Sequence, residues 1–422
     1  MLIFYIFAAL VVLQSLVSLR GGVRWLALFR RELGAKRPLY MPRASVFVPC
    51  RGVDQGLRAN LAALFAQHYP AYELVFVSDR PEDPALAVAE ALGREFGGEG
   101  ASMPRHRFVV AGRATESGQK VHNLRAAVAA ADPSSEVLVF VDTDARPRTD
   151  WLRALVAPLE DPRVGAATGY RWFLPVRGGL PSHLRSVWNA SIASALGPED
   201  RRNFCWGGST AVRRETFEWL NMLERWRGAA SDDYALTRAL REAGLPVRFV
   251  PACLTASLED CTPRELFEFT TRQLKVTRVY APHLWRFVLA SNLLFVAVFF
   301  GGLALGLARA ALGLTFAWPL ALVSVVFLLG MWKSFFRLRA AALALEDYHA
   351  ELRAGVWAHL LLWPLTAALF LYNALAAALS RRIAWRGIVY ELKSPDETVI
   401  IKAGPPEESA ADSKGLRETH HA

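Results

Sequence analysis

Five consecutive aliphatic or aromatic residues, Val137-Leu138-Val139-Phe140-Val141, run straight into Asp142-Thr143-Asp144. An unbroken apolar run this short fits a strand buried on both faces, of the kind found at the centre of a parallel sheet. The carboxyl end of such a strand opens into the crevice where α/β sheets bind ligands. Two carboxylates one residue apart at that place can hold a divalent cation through hard oxygen ligands, and the cation can in turn bridge a diphosphate. Strand-end aspartates also open turns before helices, and the helix expected from Asp150 leaves that simpler role open.

Composition narrows the class. The chain has 422 residues, is 53% hydrophobic and carries a formal net charge of +10. That suits one sizeable α/β domain together with membrane segments. The basic residues crowd the flanks of apolar runs, as in Arg20, Arg24, Arg30 and Arg31, then Lys333, Arg337 and Arg339, then Arg381, Arg382 and Arg386. This is the placement of juxtamembrane anchors facing anionic lipid, and no separate nucleic-acid patch stands out. The cysteines at 50, 205, 253 and 261 form no C-x-x-C pair, so free thiols are expected.

In chain order, Leu2 to Leu19 is an apolar run of bilayer length without a basic segment before it, read as an uncleaved anchor. Short strands are then expected at Ala44 to Pro49, Tyr72 to Val77, Arg107 to Val110 and Val164 to Thr168. Helices are expected at Asp54 to Gln67, Pro84 to Phe96 and Gly118 to Ala131. This alternation predicts a doubly wound, Rossmann-like mixed sheet. Leu180, Leu184, Val187, Trp188, Ile192 and Leu196 recur at helical spacing. That helix could lie in the membrane interface or cover the sheet. Gly207-Gly208 before Ser209-Thr210-Ala211-Val212 fits close approach of backbone to a ligand or a plain turn. Ser231-Asp232-Asp233-Tyr234 opens a further helix, with one more acid than an N-cap requires.

After a basic helical stretch from Pro263 to about Tyr280, three apolar runs follow at Phe287 to Leu307, Leu312 to Trp332 and Val356 to Leu379. With the N-terminal run they predict four spans, and the polar chain after Asp396 is expected to be disordered. Four crossings would leave Arg381, Arg382 and Arg386 on the side opposite the α/β domain, against the positive-inside bias, unless the last run stops short of a full crossing or the bias is overridden there. The resulting division is 1–20 anchor, 44–260 α/β domain with 180–197 as a candidate interfacial helix, 261–286 basic amphipathic linker, 287–380 three-segment membrane domain, and 381–422 C-terminal tail.

The polar residues form one candidate constellation. Asp79 after the second strand could accept from a nucleobase or ribose, Lys120 and Asn123 precede the central strand, and Asp144 could hold Mg2+ or Mn2+. Asp233 could act as general base on a hydroxyl. Arg272, Lys275 and Arg278 could offset charge on a leaving phosphate, or could form a snorkelling belt before the membrane helix.

These motifs in this order resemble family 2-type GT-A glycosyltransferases, and more narrowly ceramide glucosyltransferases and their bacterial lipid-glycosylating relatives. The resemblance is carried by Pro49-Cys50-Arg51-Gly52-Val53-Asp54, Ser78-Asp79, Lys120-Val121-His122-Asn123, Asp142-Thr143-Asp144, Gly207-Gly208-Ser209-Thr210, Asp232-Asp233-Tyr234 and Trp385-Arg386-Gly387-x-x-Tyr390. It implies inverting transfer from a UDP-sugar to a lipid hydroxyl at the cytoplasmic face of a membrane, a bacterial inner membrane fitting best. Pro49, Arg51, Asp79, Lys120, Asn123 and Asp142 would then serve the nucleotide-sugar and Asp144 the metal, Mn2+ or Mg2+. Asp233 with Asp232 would serve catalysis, and Gly207, Gly208, Arg272, Gln273 and Lys275 the diphosphate or acceptor. The chain departs from the family at Arg272-Gln273-Leu274-Lys275-Val276, where relatives carry Arg or Gln, two residues, then Arg-Trp. Two other classes share features: a processive polysaccharide synthase, expected to keep that motif and more membrane helices, and a non-catalytic nucleotide-sugar-binding membrane protein, which would not require both Asp144 and Asp233.

Overall fold

The computed structural model describes residues 1–97 and 104–404. The N-terminal half contains α1 (Leu2–Leu33), β1 (Ala44–Pro49), α2 (Leu57–Phe65), β2 (Tyr72–Ser78), α3 (Pro84–Phe96), β3 (Arg105–Val110), α4 (Gln119–Ala129) and β4 (Val137–Phe140). Then come α5 (Trp151–Val156), β5 (Ala166–Leu174), α6 (Leu180–Ala193), β6 (Thr210–Arg213), α7 (Arg214–Trp219), α8 (Met222–Arg225), α9 (Asp232–Glu242) and β7 (Val247–Leu258). The remainder is α10 (Pro263–Tyr280), α11 (Pro282–Ala311), α12 (Ala317–Ala344), α13 (His349–Ala354), α14 (Val356–Leu361), α15 (Trp363–Leu379), β8 (Arg382–Trp385), β9 (Ile388–Ser394) and β10 (Glu397–Ala403). The chain divides into two compact units.

One unit, built from residues 31–173, 195–259 and 381–422, holds a seven-stranded sheet in the order β3-β2-β1-β4-β6-β5-β7. The first four in that order are parallel, and β6 is antiparallel to β4 and β5. This is the mixed, doubly wound α/β architecture expected. Register explains where the site falls. Pro49 of β1 pairs with Val77 of β2, and Phe47 pairs with Phe140 of β4, so three carboxyl ends share one edge. Because β6 runs the other way, its first residue Thr210 faces Phe140, and the preceding Gly207-Gly208 reaches that same edge. Phe140 anchors the core beneath, with its ring 5.4 Å from Phe47, 6.0 Å from Phe217 and 5.5 Å from Trp226.

The other unit contains residues 1–30, 174–194 and 260–380. Three of its helices, α1, α11 and α12, are long and apolar enough to cross a bilayer. The expected fourth span differs: Val356 to Leu379 is broken at Leu362 into α14 and the 17-residue α15. Pro364 accounts for the break, since it lacks the N–H that would continue the ladder and its ring crowds the carbonyl one turn back. The Leu180 to Leu196 periodicity becomes α6, whose Trp188 stacks on Phe370 at 4.7 Å and meets Phe269 edge-on at 6.0 Å. Ahead of α10, Thr262 and Glu265 close a reciprocal capping box.

The segment after Asp396 was expected to be disordered, yet Glu397–Ala403 is strand β10, paired antiparallel with β9, which pairs with β8. The β-branched run Thr398-Val399-Ile400-Ile401 suits a pleated strand, and Thr398 is buried. The rest of that expected tail, with Pro405 and Pro406, lies outside the described residues.

Gly169 in β5 is required by close approach. A Cβ there would stand 2.1 Å from the Cys253 carbonyl oxygen of β7 and 2.6 Å from Ser209 Oγ. Backbone cannot swing aside as a side chain can, so Gly169→Ala is expected to cost about 2 kcal/mol or more. Thermal unfolding in detergent should register this as a clear fall in the midpoint, and an unchanged midpoint would contradict the packing described.

Candidate active site

The sheet edge carries two linked polar clusters, both within the α/β unit. The first centres on Asp79, just past β2. Its carboxylate pairs with the Arg51 guanidinium, and the two side chains are only 5% and 3% exposed. Arg51 also donates through Nε to the Arg386 carbonyl and through Nη2 to the Gly404 carbonyl, each at 3.1 Å. One guanidinium fork thus ties the end of β2 to the C-terminal strands, a use of planar donors that lysine could not reproduce. The Gln119 N–H donates to the Tyr390 hydroxyl at 3.2 Å, and Gln119 Nε2 donates to Asn123 Oδ1 at 2.8 Å. Pro49 ends β1 just before Arg51.

The second cluster centres on Lys120 in the first turn of α4. Its ammonium lies 2.7 Å from Asp142 Oδ1 and 3.2 Å from Asp232 Oδ1. Burial alone would push Lys120 down, but Asp142, Asp232 and Asp233 together outweigh it and hold the ammonium up. The helix starts meet because Gly118 has no side chain: a Cβ there would stand 2.9 Å from the Ala230 carbonyl oxygen. Gly207 allows a similar approach, since its Cβ would meet Asp232 Oδ2 at 2.5 Å and Lys120 Nζ at 2.7 Å. A Cβ on Gly208 would run into the Trp206 ring at 2.2 Å.

Asp232 and Asp233 occupy the first turn of α9, where the helix dipole favours negative charge. Asp232 is buried, which pushes its carboxyl up. Lys120 pulls it back, Asp233 and Asp142 add to the push, and the result is about 6. Asp233 accepts through Oδ1 from Tyr234 N at 2.7 Å and from the Ser231 hydroxyl, and through Oδ2 from Gly207 N at 3.3 Å. Its carboxylate is thereby oriented from both sides. The Trp226 indole N–H donates to the Asp232 carbonyl at 3.1 Å, which connects this turn to the core around Phe140.

Arg171 of β5 spans the two central carboxylates, with Nη1 2.5 Å from Asp144 Oδ2 and Nη2 3.5 Å from Asp142 Oδ2. Burial would raise Asp142, but Lys120 and Arg171 outweigh it and hold this carboxyl below the usual range. Asp144 goes the other way. Burial raises it, Arg171 opposes, and Asp142, Glu259 and Asp54 reinforce the rise. Asp54 accepts from the Thr143 hydroxyl at 2.5 Å and pairs with Arg386.

Among the described residues no three His, Cys, Asp or Glu side chains converge as a preformed metal cage. Asp144 Oδ1 is nevertheless buried without a hydrogen-bond partner. A hard oxygen so placed fits a small divalent cation whose other ligands come from substrate phosphates and water, the usual manner for Mg2+.

Arg171 was given no role from the sequence, and Asp54 and Arg386 were named in the motifs of the resemblance, Arg386 also as a juxtamembrane anchor, without a place in the site. The signal for Arg171 was present, as the one charged residue in Ala166–Leu174, a strand otherwise apolar, small or weakly polar. Arg272, Gln273 and Lys275 are carried by α10 in the other unit, with the Arg272 guanidinium 5.6 Å from the centre of the Phe269 ring. Arg278, grouped with them as a phosphate ligand, donates to the Ala377 carbonyl and, at 2.9 Å, to the Ala378 carbonyl, so it caps the end of α15.

A model of glycosyl transferase family 21 matches residues 3–398. The chain belongs to this family. The resemblance drawn from the motifs is thereby established, and the protein is a nucleotide-sugar glycosyltransferase. Solved structures similar to it include a mannosyltransferase from Pyrobaculum calidifontis in complex with GDP-Man and Mn2+. It is 18% identical, with 88% of this chain and 98% of that one covered and a TM-score of 0.45. Another is glucosyl-3-phosphoglycerate synthase from Mycobacterium tuberculosis in complex with Mn2+ and UDP-glucose. That one is 17% identical, with 60% and 81% covered and a TM-score of 0.35.

Removing one partner of a buried ion pair leaves a charge with neither water nor counter-ion. Arg51→Met in this family 21 chain is expected to cost about 3 kcal/mol or more, because Asp79 is then stranded. The same change frees the Arg386 and Gly404 carbonyls, so limited proteolysis should cut sooner near the C-terminal strands than in the wild type. Equal stability and equal cleavage rates would contradict the latch.

Proposed function

We propose that the protein is an inverting, metal-dependent hexosyltransferase that moves a sugar from a UDP-sugar to the hydroxyl of a membrane lipid, a ceramide-type acceptor being favoured. The observation that carries this reading is the Asp142–Asp144 pair at the shared edge of the sheet, with Asp144 Oδ1 unpartnered, in a family 21 chain that also has bilayer-length helices.

Asp79, held by Arg51, is assigned to the uridine, with Pro49 and Asn123 shaping that end of the pocket. Lys120 and Asp142 are assigned to the nucleotide-sugar, and Asp144 to Mn2+ or Mg2+. A bound divalent cation would offset the negative charge on the leaving diphosphate. Asp233 is the general base that takes the proton from the acceptor hydroxyl. Its hydrogen bonds from Tyr234, Ser231 and Gly207 fix its direction, and neighbouring Asp232 keeps Lys120 in place. Gly207 and Gly208 let backbone approach the donor, and Arg272, Gln273 and Lys275 are assigned to the diphosphate or acceptor.

The apolar helices α1, α11 and α12 are assigned as the crossings, and the 17-residue α15 stands at the lower limit of a spanning length. Arg381, Arg382 and Arg386 belong to the α/β unit, and the positive-inside bias assigns that unit to the cytoplasmic side, as at a bacterial inner membrane.

Detergent-purified protein, given Mn2+ or Mg2+ and a panel of UDP-sugars, should release UDP only when lipid is added, most strongly with ceramide. Asp144→Ala and Asp233→Ala should each lower the rate by about 100-fold or more, the scale expected when a general acid–base group or metal ligand is lost. Full activity after Asp233→Ala would refute the base assignment, and release indifferent to lipid would refute the acceptor class.

A further inference from the structure

We propose that Arg171 is a displaceable internal counter-cation, whose guanidinium bridges Asp142 and Asp144 when no metal is bound and must withdraw for a divalent cation to bind. The inference rests on the proposed metal role of Asp144 and adds to it the residue with which the metal competes.

Its geometry is specific. Two nitrogens of one guanidinium reach both carboxylates, at 2.5 Å to Asp144 Oδ2 and 3.5 Å to Asp142 Oδ2. The guanidinium carbon also sits 4.9 Å from the centre of the Trp206 ring and 5.4 Å from that of Phe173. Those aromatic faces give the cation a surface to rest on independently of the carboxylates. The acidic surroundings explain its presence, since Asp54, Asp142, Asp144 and Glu259 all act on this place, and a fixed cation holds the central pair together between catalytic cycles.

Arg171 cannot stay there once a doubly charged ion arrives. Like charges a few ångströms apart repel by much more than thermal energy in a site of low effective dielectric. The guanidinium engages Oδ2 of the same Asp144 carboxylate whose Oδ1 is left for the metal, so the two cations would share one carboxyl group. Metal affinity in this chain is therefore a difference between the pull of the carboxylates on the metal and their pull on Arg171. Arg171 acts through the aspartates, which makes it a positioning residue.

The test is Mn2+ binding by the full-length protein in detergent, followed by calorimetry and by electron paramagnetic resonance, with and without UDP. Arg171→Gln removes the competing charge and is expected to tighten Mn2+ binding about tenfold, within the usual range of site-to-site coupling. Arg171→Lys keeps the charge but cannot bridge both carboxylates, so a smaller gain is expected, and it serves if the glutamine variant folds poorly. A merely structural Arg171 would make either variant bind Mn2+ more weakly. Unchanged or weaker binding in the variants, with wild-type binding that Asp144→Asn abolishes, overturns the role of Arg171 alone. No Mn2+ binding by the wild type, with or without UDP, overturns both this inference and the metal assignment beneath it.

Discussion

The Lys120 ammonium holds the site together. It connects the start of α4, the end of β4 and the start of α9 by lying 2.7 Å from Asp142 and 3.2 Å from Asp232. A lysine in the first turn of a helix works against the helix dipole, and it is tolerated here because two carboxylates face it. Two glycines make the arrangement sterically possible, Gly118 beside the Ala230 backbone and Gly207 beside the ion pair itself. Lys120 thereby holds the immediate sequence neighbours of the proposed site, Asp142 two residues before the proposed metal carboxylate Asp144 and Asp232 one residue before the proposed base Asp233.

Much of the α/β unit was legible because its strands are short, apolar and regularly interrupted. The run before Asp142 is completely buried as β4, and the carboxyl ends of β1, β2 and β4 align by parallel register, which follows once strand order is known. The central carboxylates and Lys120 were legible too, since polar residues at strand ends and helix starts have few structural reasons to cluster. Arg171 was not. It sits in mid-strand, and its meeting with Asp144 depends on β5 lying two places from β4 across an antiparallel strand, which no local pattern encodes.

The C-terminal strands were missed for a different reason. Ile388–Ser394 and Glu397–Ala403 have β-branched residues but also mixed charge, and a two- or three-stranded sheet of this kind is marginal by itself. It is secured by long-range polar contacts: Arg51 to the Arg386 and Gly404 carbonyls, Arg386 to Asp54, and the Gln119 N–H to the Tyr390 hydroxyl. The two turn residues involved, Arg386 and Gly387, both have positive φ. A non-glycine residue in that region is uncommon, and at Arg386 it accompanies a side chain paired with Asp54 and a carbonyl that accepts from Arg51. Similarly, hydrophobic length alone could not separate α15 from a full span, whereas Pro364 marks where the run breaks.

The most direct test of the central claim is the position of the metal. Crystals or vitrified particles of the protein with UDP and Mn2+ would locate manganese by anomalous scattering or by density, together with the diphosphate. The account predicts manganese within coordination distance of the Asp144 carboxylate and of the UDP phosphates, with the Arg171 guanidinium moved off Asp144. Manganese bound elsewhere, or UDP seated at the sheet edge with Arg171 still bridging Asp142 and Asp144, would contradict it.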